Sequence, residues 1–378
     1  MRNIVYILFL FFLVSFGRPL QAEEPLTTRP LLQELGHRLL KGKQGSIVAI
    51  KPSTGEIVCL ATNSPSGSNV GLAIGTAYAP GSTFKTAQAL VMLSEGFISP
   101  EQTNQCNGGF TDGNIHVGCH QHVSPLALTD ALAYSCNTWF LSNFMALIND
   151  DFLYESPSEA ITVWHRYMTS MGMGGPLGID LPGERGGLVA NAPYLNRRYK
   201  QGWDARTILW AGMGQGDITL TPLQLCNLAV TIANRGFFYT PHVVKSVKGE
   251  PLRKEFTERR YTKASREAYE YVVKGMRSSV MGGTCKALNR SDIIMCGKTG
   301  TAQNKGHDHS VFMGFAPMDN PKIAIAVYVE NGGFGATFGV PIGGLMIEQY
   351  LHGKLSDGSE RRATEFQNRK ISYGSGER

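Results

Sequence analysis

Three short segments of this chain carry side chains suited to acyl transfer: Ser82-Thr83-Phe84-Lys85, Ser135-Cys136-Asn137 and Lys298-Thr299-Gly300-Thr301. Acyl transfer at a peptide-like carbonyl requires a nucleophile, a base, a proton route to the leaving amine and an oxyanion site. A serine three residues ahead of a lysine shares a helix face with it. Ser82 is therefore the candidate nucleophile. Lys85 is the candidate base, provided burial and neighbouring cations bring its ammonium toward neutrality. A helix starting at the serine would add its amide dipoles to the site. Ser135 can relay a proton, and Asn137 can bind a substrate backbone amide. Lys298 supplies positive potential. Thr299 and Thr301, on either side of Gly300, offer hydroxyls to a carboxylate, and the amides of Ser82 and Thr301 are the candidate oxyanion donors. Each segment alone is common; their order and wide spacing join them into one site.

These residues need elements to hold them. Pro80-Gly81 breaks the chain, and 82–93 has helical periodicity with Phe84, Ala87, Leu90 and Val91 available to a core. Residues 45–50 and 56–61 read as strands joined by the turn Pro52-Ser53-Thr54-Gly55. The segments 298–303, 310–316 and 322–330 alternate like further strands of one antiparallel sheet, and 341–351 reads as a closing helix. Between them, from about 128 to 233, lies a helix-rich insertion with helical stretches at 126–148, 158–171 and 222–234. The expectation is an α+β fold whose sheet is built from both ends of the chain, with an all-helical subdomain inserted.

The 378 residues are 42% hydrophobic and 17% charged, which suits a globular chain and excludes disorder as its main state. The net charge of +6 is spread out rather than gathered in a basic arm, so nucleic-acid binding is not indicated. Residues 1–22 combine Arg2, an apolar run shorter than the ~20 residues of a bilayer span, and Ala22 before two glutamates. They read as a secretory signal, or as an anchor if retained, and in either case as export. Leu20 is not the small residue usual near such a cleavage site. Residues 23–44 read as a linker and lead-in helix, 45–353 as the catalytic domain, and 354–378 as a mobile polar tail.

The likeness extends beyond short motifs. Ala79-Pro80-Gly81-Ser82-Thr83-Phe84-Lys85 resembles the nucleophile segment of class B penicillin-binding proteins, the monofunctional D,D-transpeptidases. Gly178-Ile179-Asp180-Leu181-Pro182-Gly183-Glu184, Gly214-Gln215-Gly216, Leu220-Thr221-Pro222-Leu223-Gln224-Leu225 and Gly297-Lys298-Thr299-Gly300-Thr301-Ala302-Gln303 are similar to that family too. The resemblance covers about 45–352 and is nearest the elongation-type (rod-shape) branch. It implies the penicillin-binding transpeptidase fold, a five-stranded antiparallel sheet flanked by helices, with no organic cofactor. It also implies crosslinking of peptidoglycan stem peptides through an acyl-enzyme on Ser82, inhibition by β-lactams, and partners among other cell-wall synthesis proteins. Typical members carry a large N-terminal pedestal domain; residues 23–44 leave no room for one here. A D,D-carboxypeptidase or class D-like β-lactamase stays open, as does a non-catalytic β-lactam or muropeptide sensor.

Cys106, Cys119, His120, His122 and Cys136 cluster between the first two motifs. Thiolates with an imidazole suit tetrahedral zinc. The spacing resembles a zinc site of some elongation-type relatives, which implies Cys106, Cys119, His122 and Cys136 as ligands of a structural Zn2+. A Cys106–Cys119 disulfide and free thiols are the alternatives. Cys59, Cys226, Cys285 and Cys296 read as structural. The glycines of 212–216 lack the strand–turn–helix unit of a dinucleotide site, and His309 with Glu330 reads as packing rather than a triad.

Overall fold

The computed structural model describes residues 26–245, 250–304 and 306–373, so the leader expected at 1–22 lies outside the described residues. Among those described, no helix is long and apolar enough to cross a membrane. The turn at 52–55 closes a hairpin of strands Gly45–Ile50 and Ile57–Asn63. The other edge of the first strand pairs with Ile323–Val329, which pairs with His309–Ala316 and then with Cys296–Ala302, all antiparallel. The register sets Ile47 opposite Val327 and Lys298 opposite Met313.

Alternate side chains of one strand leave on opposite faces. Ile47 and Ala49 join a core with Met346, Ile347 and Phe366, whereas Val48 and Ile50 join the larger core that includes Phe84, Trp139 and Leu228. Both faces are therefore covered, and the central strands are buried along their whole length. Helices Pro30–Leu40 and Gly339–His352 lie on the first face. Helix Pro222–Ala233 lies on the other and is buried at every position; Thr221 and Gln224 form a reciprocal capping box at its start.

Three expectations are corrected and one is extended. The stretch 126–148 is two helices, Leu128–Tyr134 and Asn137–Ile148, because Ser135 takes left-handed φ 59° and ψ 41° between them. The insertion is helix-rich but not all-helical: it carries a two-stranded ladder, Leu188–Val189 with Ile218–Thr219. Two more ladders flank it, Gly109–Asp112 with Ile115–Gly118 before it and Phe237–Tyr239 with Arg259–Tyr261 after it. A helix, Pro30–Leu40, lies within the 23–44 segment read as linker and lead-in helix, and the segment packs into the domain: Leu35, Leu39 and Leu40 are core residues and Thr27 N donates to Val243 O (2.8 Å). The mobile tail is replaced, over Asp357–Asn368, by a helix docked on Pro30–Leu40. Its charges face outward, Glu360 pairing with Arg38, while Ala363 and Phe366 are buried and Lys43 Nζ donates to the Phe366 carbonyl. Beyond it Gln44 N donates to Tyr373 Oη (2.6 Å), which donates to Glu330 O (3.0 Å), so the folded unit runs past 353 to at least Tyr373.

Candidate active site and thiol cluster

Ser82 does not open an α-helix, as its sequence suggests, but sits in a single 3-10 turn, Gly81–Phe84, that runs directly into helix Lys85–Ser94. Two backbones clamp this turn. Gly81 has φ +55°, and a Cβ there would lie 2.6 Å from the Thr301 carbonyl oxygen. Gly81 N donates to Gly214 O (3.0 Å), and a Cβ on Gly214 would lie 2.3 Å from Gly81 O. Neither position has space for a side chain, which is why glycine stands at both. The 214–216 glycine segment is thereby explained as a backing for the nucleophile turn. Thr83 Oγ1 donates to Pro80 O (2.7 Å) and fixes the same turn from inside.

Lys85 is fully buried. Its Nζ donates to Ser135 O (2.8 Å) and Asn137 Oδ1 (2.5 Å) and lies 3.4 Å from Ser135 Oγ. The left-handed Ser135 makes this geometry, turning carbonyl and hydroxyl together toward the lysine. Burial, aided by the positive charge of Lys298, brings the Lys85 ammonium down to about 7. Lys298, also fully buried, donates to Thr299 O (3.1 Å) and is lowered by burial to about 8. The structure thus brings Lys85, Ser135 and Asn137 into contact and sets Thr301 against Gly81. Asn137 is more occupied than its sequence reading implies: Nδ2 donates to Gly118 O (2.7 Å) while Oδ1 holds Lys85.

Two residues near this centre escaped sequence reasoning. Thr284 accepts a hydrogen bond from Thr299 Oγ1 (2.8 Å). Thr138 sits 3.2 Å from Cys106 Sγ and 3.5 Å from Cys119 Sγ. Thr284 has no motif to mark it; Thr138 follows Asn137 directly, and its helical position after Cys136 was the available signal. His309 Nδ1 accepts from Asn331 N, and Glu330 accepts from Tyr78 Oη and Gln44 Nε2. Cys59, Cys226, Cys285 and Cys296 are buried, and burial pushes each thiol up.

The donor atoms of Cys106, Cys119, His122 and Cys136 all lie within 4.8 Å of one another. In this structure the cysteines, Cys106 and Cys119 among them, are free thiols. Cys119 Sγ and Cys136 Sγ are 3.9 Å apart. Hydrogen bonding from Cys136, with help from Thr138, pulls the Cys119 thiol well down, and the same shared proton pushes Cys136 up. Asn137 N (3.2 Å) and Thr138 N (3.4 Å) donate to Cys119 Sγ, as Trp139 N does to Cys136 Sγ (3.4 Å). These amides belong to the start of helix Asn137–Ile148, so the cluster grips the residue that holds Lys85.

Comparison with known proteins identifies the family. The family model for the penicillin binding protein transpeptidase domain matches residues 45–343. The peptidoglycan D,D-transpeptidase MrdA of Acinetobacter baumannii is 28% identical over 81% of this chain and 50% of its own length. The peptidoglycan D,D-transpeptidase PbpA of Mycobacterium tuberculosis is 27% identical over 87% of this chain and 72% of its own. A crystal structure of Pseudomonas aeruginosa PBP2 in complex with WCK 5153 superposes with a TM-score of 0.76 at 28% identity, covering 88% of this chain and 80% of that one. Against MrdA relatives the chain spans only about half their length. The fold, the clamped serine turn and the match over most of its length make this chain a member of the penicillin-binding protein transpeptidase family.

Proposed function

We propose that the chain is a serine D,D-transpeptidase that crosslinks peptidoglycan stem peptides through an acyl-enzyme on Ser82. The observation that carries this reading is the buried Lys85 amine, held by Ser135 O and Asn137 Oδ1 one helical turn from Ser82. An amine brought to about 7 is half neutral near physiological pH and can take a hydroxyl proton. Ser82 Oγ gives its proton to Lys85 and attacks the carbonyl carbon of the penultimate D-alanine. The C–N bond breaks, and Ser135 Oγ, next to Lys85 Nζ, passes a proton to the departing D-alanine nitrogen. Ser135 is then reprotonated from Lys85. An amine of a neighbouring stem attacks the ester and loses its proton through Ser135 to Lys85, and the C–O bond breaks as Ser82 Oγ takes that proton back from Lys85. The amides of Ser82 and Thr301 bind the oxyanion. Lys298, with Thr299, Gly300 and Thr301, receives the terminal carboxylate, and the second Nδ2 hydrogen of Asn137 serves the substrate backbone. β-Lactams present the same carbonyl and stop at the ester.

The cysteine cluster fits a structural Zn2+. A tetrahedron with Zn–S of about 2.3 Å has S···S edges of about 3.8 Å, close to the 3.9 Å between Cys119 and Cys136. His122 Nδ1 bonds Val123 O (2.7 Å), which leaves Nε2 as the metal-facing nitrogen, and that atom is buried without a hydrogen-bond partner. Cys106, Cys119, His122 and Cys136 would hold the ion, whose contribution is charge neutralisation and a rigid anchor for 135–137. With residues 1–22 read as a secretory leader, the domain works outside the cytoplasm, in the periplasm or on the outer face of the inner membrane, among other cell-wall synthesis proteins.

Labelling with a fluorescent penicillin tests the assignment. Wild type forms a stable adduct that mass spectrometry maps to Ser82, and Ser82→Ala forms none. Labelling unaffected by Ser82→Ala, or release within seconds as in a β-lactamase, overturns it. Muropeptides of a strain lacking the protein show fewer crosslinks. Elemental analysis of untagged protein gives about one zinc per chain, and less than half an equivalent removes the metal.

A further inference from the structure

We infer that Thr284 is a positioning residue for substrate carboxylate binding, acting through Thr299; the inference rests on the transpeptidase reading above. Thr284 lies outside all three motifs, in the turn that follows helix Arg266–Met281. Its backbone N donates to Ala133 O (3.1 Å), two residues before Ser135, and its Oγ1 accepts from Thr299 Oγ1 (2.8 Å). One residue thus braces the Ser135 loop against the Lys298 strand. Ser279 Oγ, fully buried, lies 3.3 Å from Thr284 Oγ1 and completes a chain of three hydroxyls.

Each hydroxyl donates one hydrogen and accepts others, so such a chain has two directions. In the structure Thr299 Oγ1 donates inward to Thr284 Oγ1. A carboxylate in front of Thr299 only accepts, so Thr299 must turn its hydrogen outward. Thr284 then donates to the Thr299 oxygen, and Ser279 donates to Thr284. The reversed chain aligns three O–H dipoles on the anion, each polarising the next. A carboxylate-bearing ligand gains from this reversal; its ester does not.

The experiment compares acylation of wild type, Thr284→Val and Thr284→Ser by benzylpenicillin and by its methyl ester. Valine keeps the shape of threonine and removes the switchable hydroxyl. The expected result is a loss of about tenfold for the free acid in T284V, the size of one hydrogen bond to a charged group. The loss falls in the binding constant rather than in the limiting acylation rate. The ester changes by less than about twofold, and T284S restores the acid to within about twofold of wild type, since serine keeps the hydroxyl. The acid-to-ester ratio is taken on one protein sample, so a partly unfolded variant cannot imitate the result. Equal losses for acid and ester, or no loss for either, overturn the inference while the transpeptidase reading stands. Wild type labelled by neither compound overturns both.

Discussion

The pH dependence of acylation follows from the surroundings of Lys85. Burial and the Lys298 charge bring its ammonium from 10.5 to about 7. At pH 7 that raises the neutral fraction from about one in three thousand to about one half. A lysine base acts in its neutral form, so the second-order acylation constant should rise about tenfold per pH unit below 7 and level off above about 8. The sign is that of a depressed cationic group: activity is gained as pH rises through the folded value. Lys298→Met removes a like charge, so the midpoint should move to higher pH, apart from any weaker binding. Lys85→Arg replaces the amine with a group that stays protonated, and acylation should fall about a thousandfold or more. Stopped-flow fluorescence with a chromogenic cephalosporin, from pH 5.5 to 9, measures all three. A flat profile across pH 6 to 8, or a midpoint that falls in the Lys298 variant, would refute the assignment of Lys85 as base.

Gly81→Ala sets a Cβ 2.6 Å from Thr301 O at φ +55°, and should cost about 2–4 kcal/mol together with most penicillin labelling; unchanged melting and labelling would remove the backbone clamp. Phe366→Ala should destabilise by about 3 kcal/mol in urea titrations, because its ring is 5% exposed between the last helix and the sheet layer. A change under about 0.5 kcal/mol would return that helix to a loose tail. Between about pH 7 and 10.5 the unfolded Lys85 holds a proton that the folded one has released, so this residue makes stability rise with pH across that window. Lys85→Met should therefore show a shallower rise than wild type between pH 7 and 9, and equal slopes would contradict the buried neutral amine.

Two groupings were legible in the sequence from residue type and spacing: Lys85 with Ser135 and Asn137, and Cys106, Cys119, His122 and Cys136 with one another. The hairpin at 45–63 and the strands after Cys296 were legible because turn residues bound short apolar runs. The break at Ser135 was hidden, since the apolar periodicity of the two helices continues across it and only the backbone dihedral shows it. The docked helix at 357–368 was hidden by composition: two buried anchors, Ala363 and Phe366, lie among many charges. Thr284 was invisible because its role depends on a tertiary meeting of two segments, not on any local pattern.

The strand order of the sheet constrains how the chain can be made. Strand Gly45–Ile50 leaves the ribosome early, but its second neighbour is Ile323–Val329, nearly the whole chain later. Until that strand arrives, the early hairpin presents an apolar edge with unpaired backbone groups, the surface that recruits stray strands. Such non-local pairing is also slow to form. Strand Cys296–Ala302 reaches the hairpin only through His309–Ala316 and Ile323–Val329. Assembly of the catalytic cleft is therefore one of the last folding events. A nascent chain interrupted before residue 323 lacks both the partner of this edge and the strand that ties Cys296–Ala302 to the hairpin.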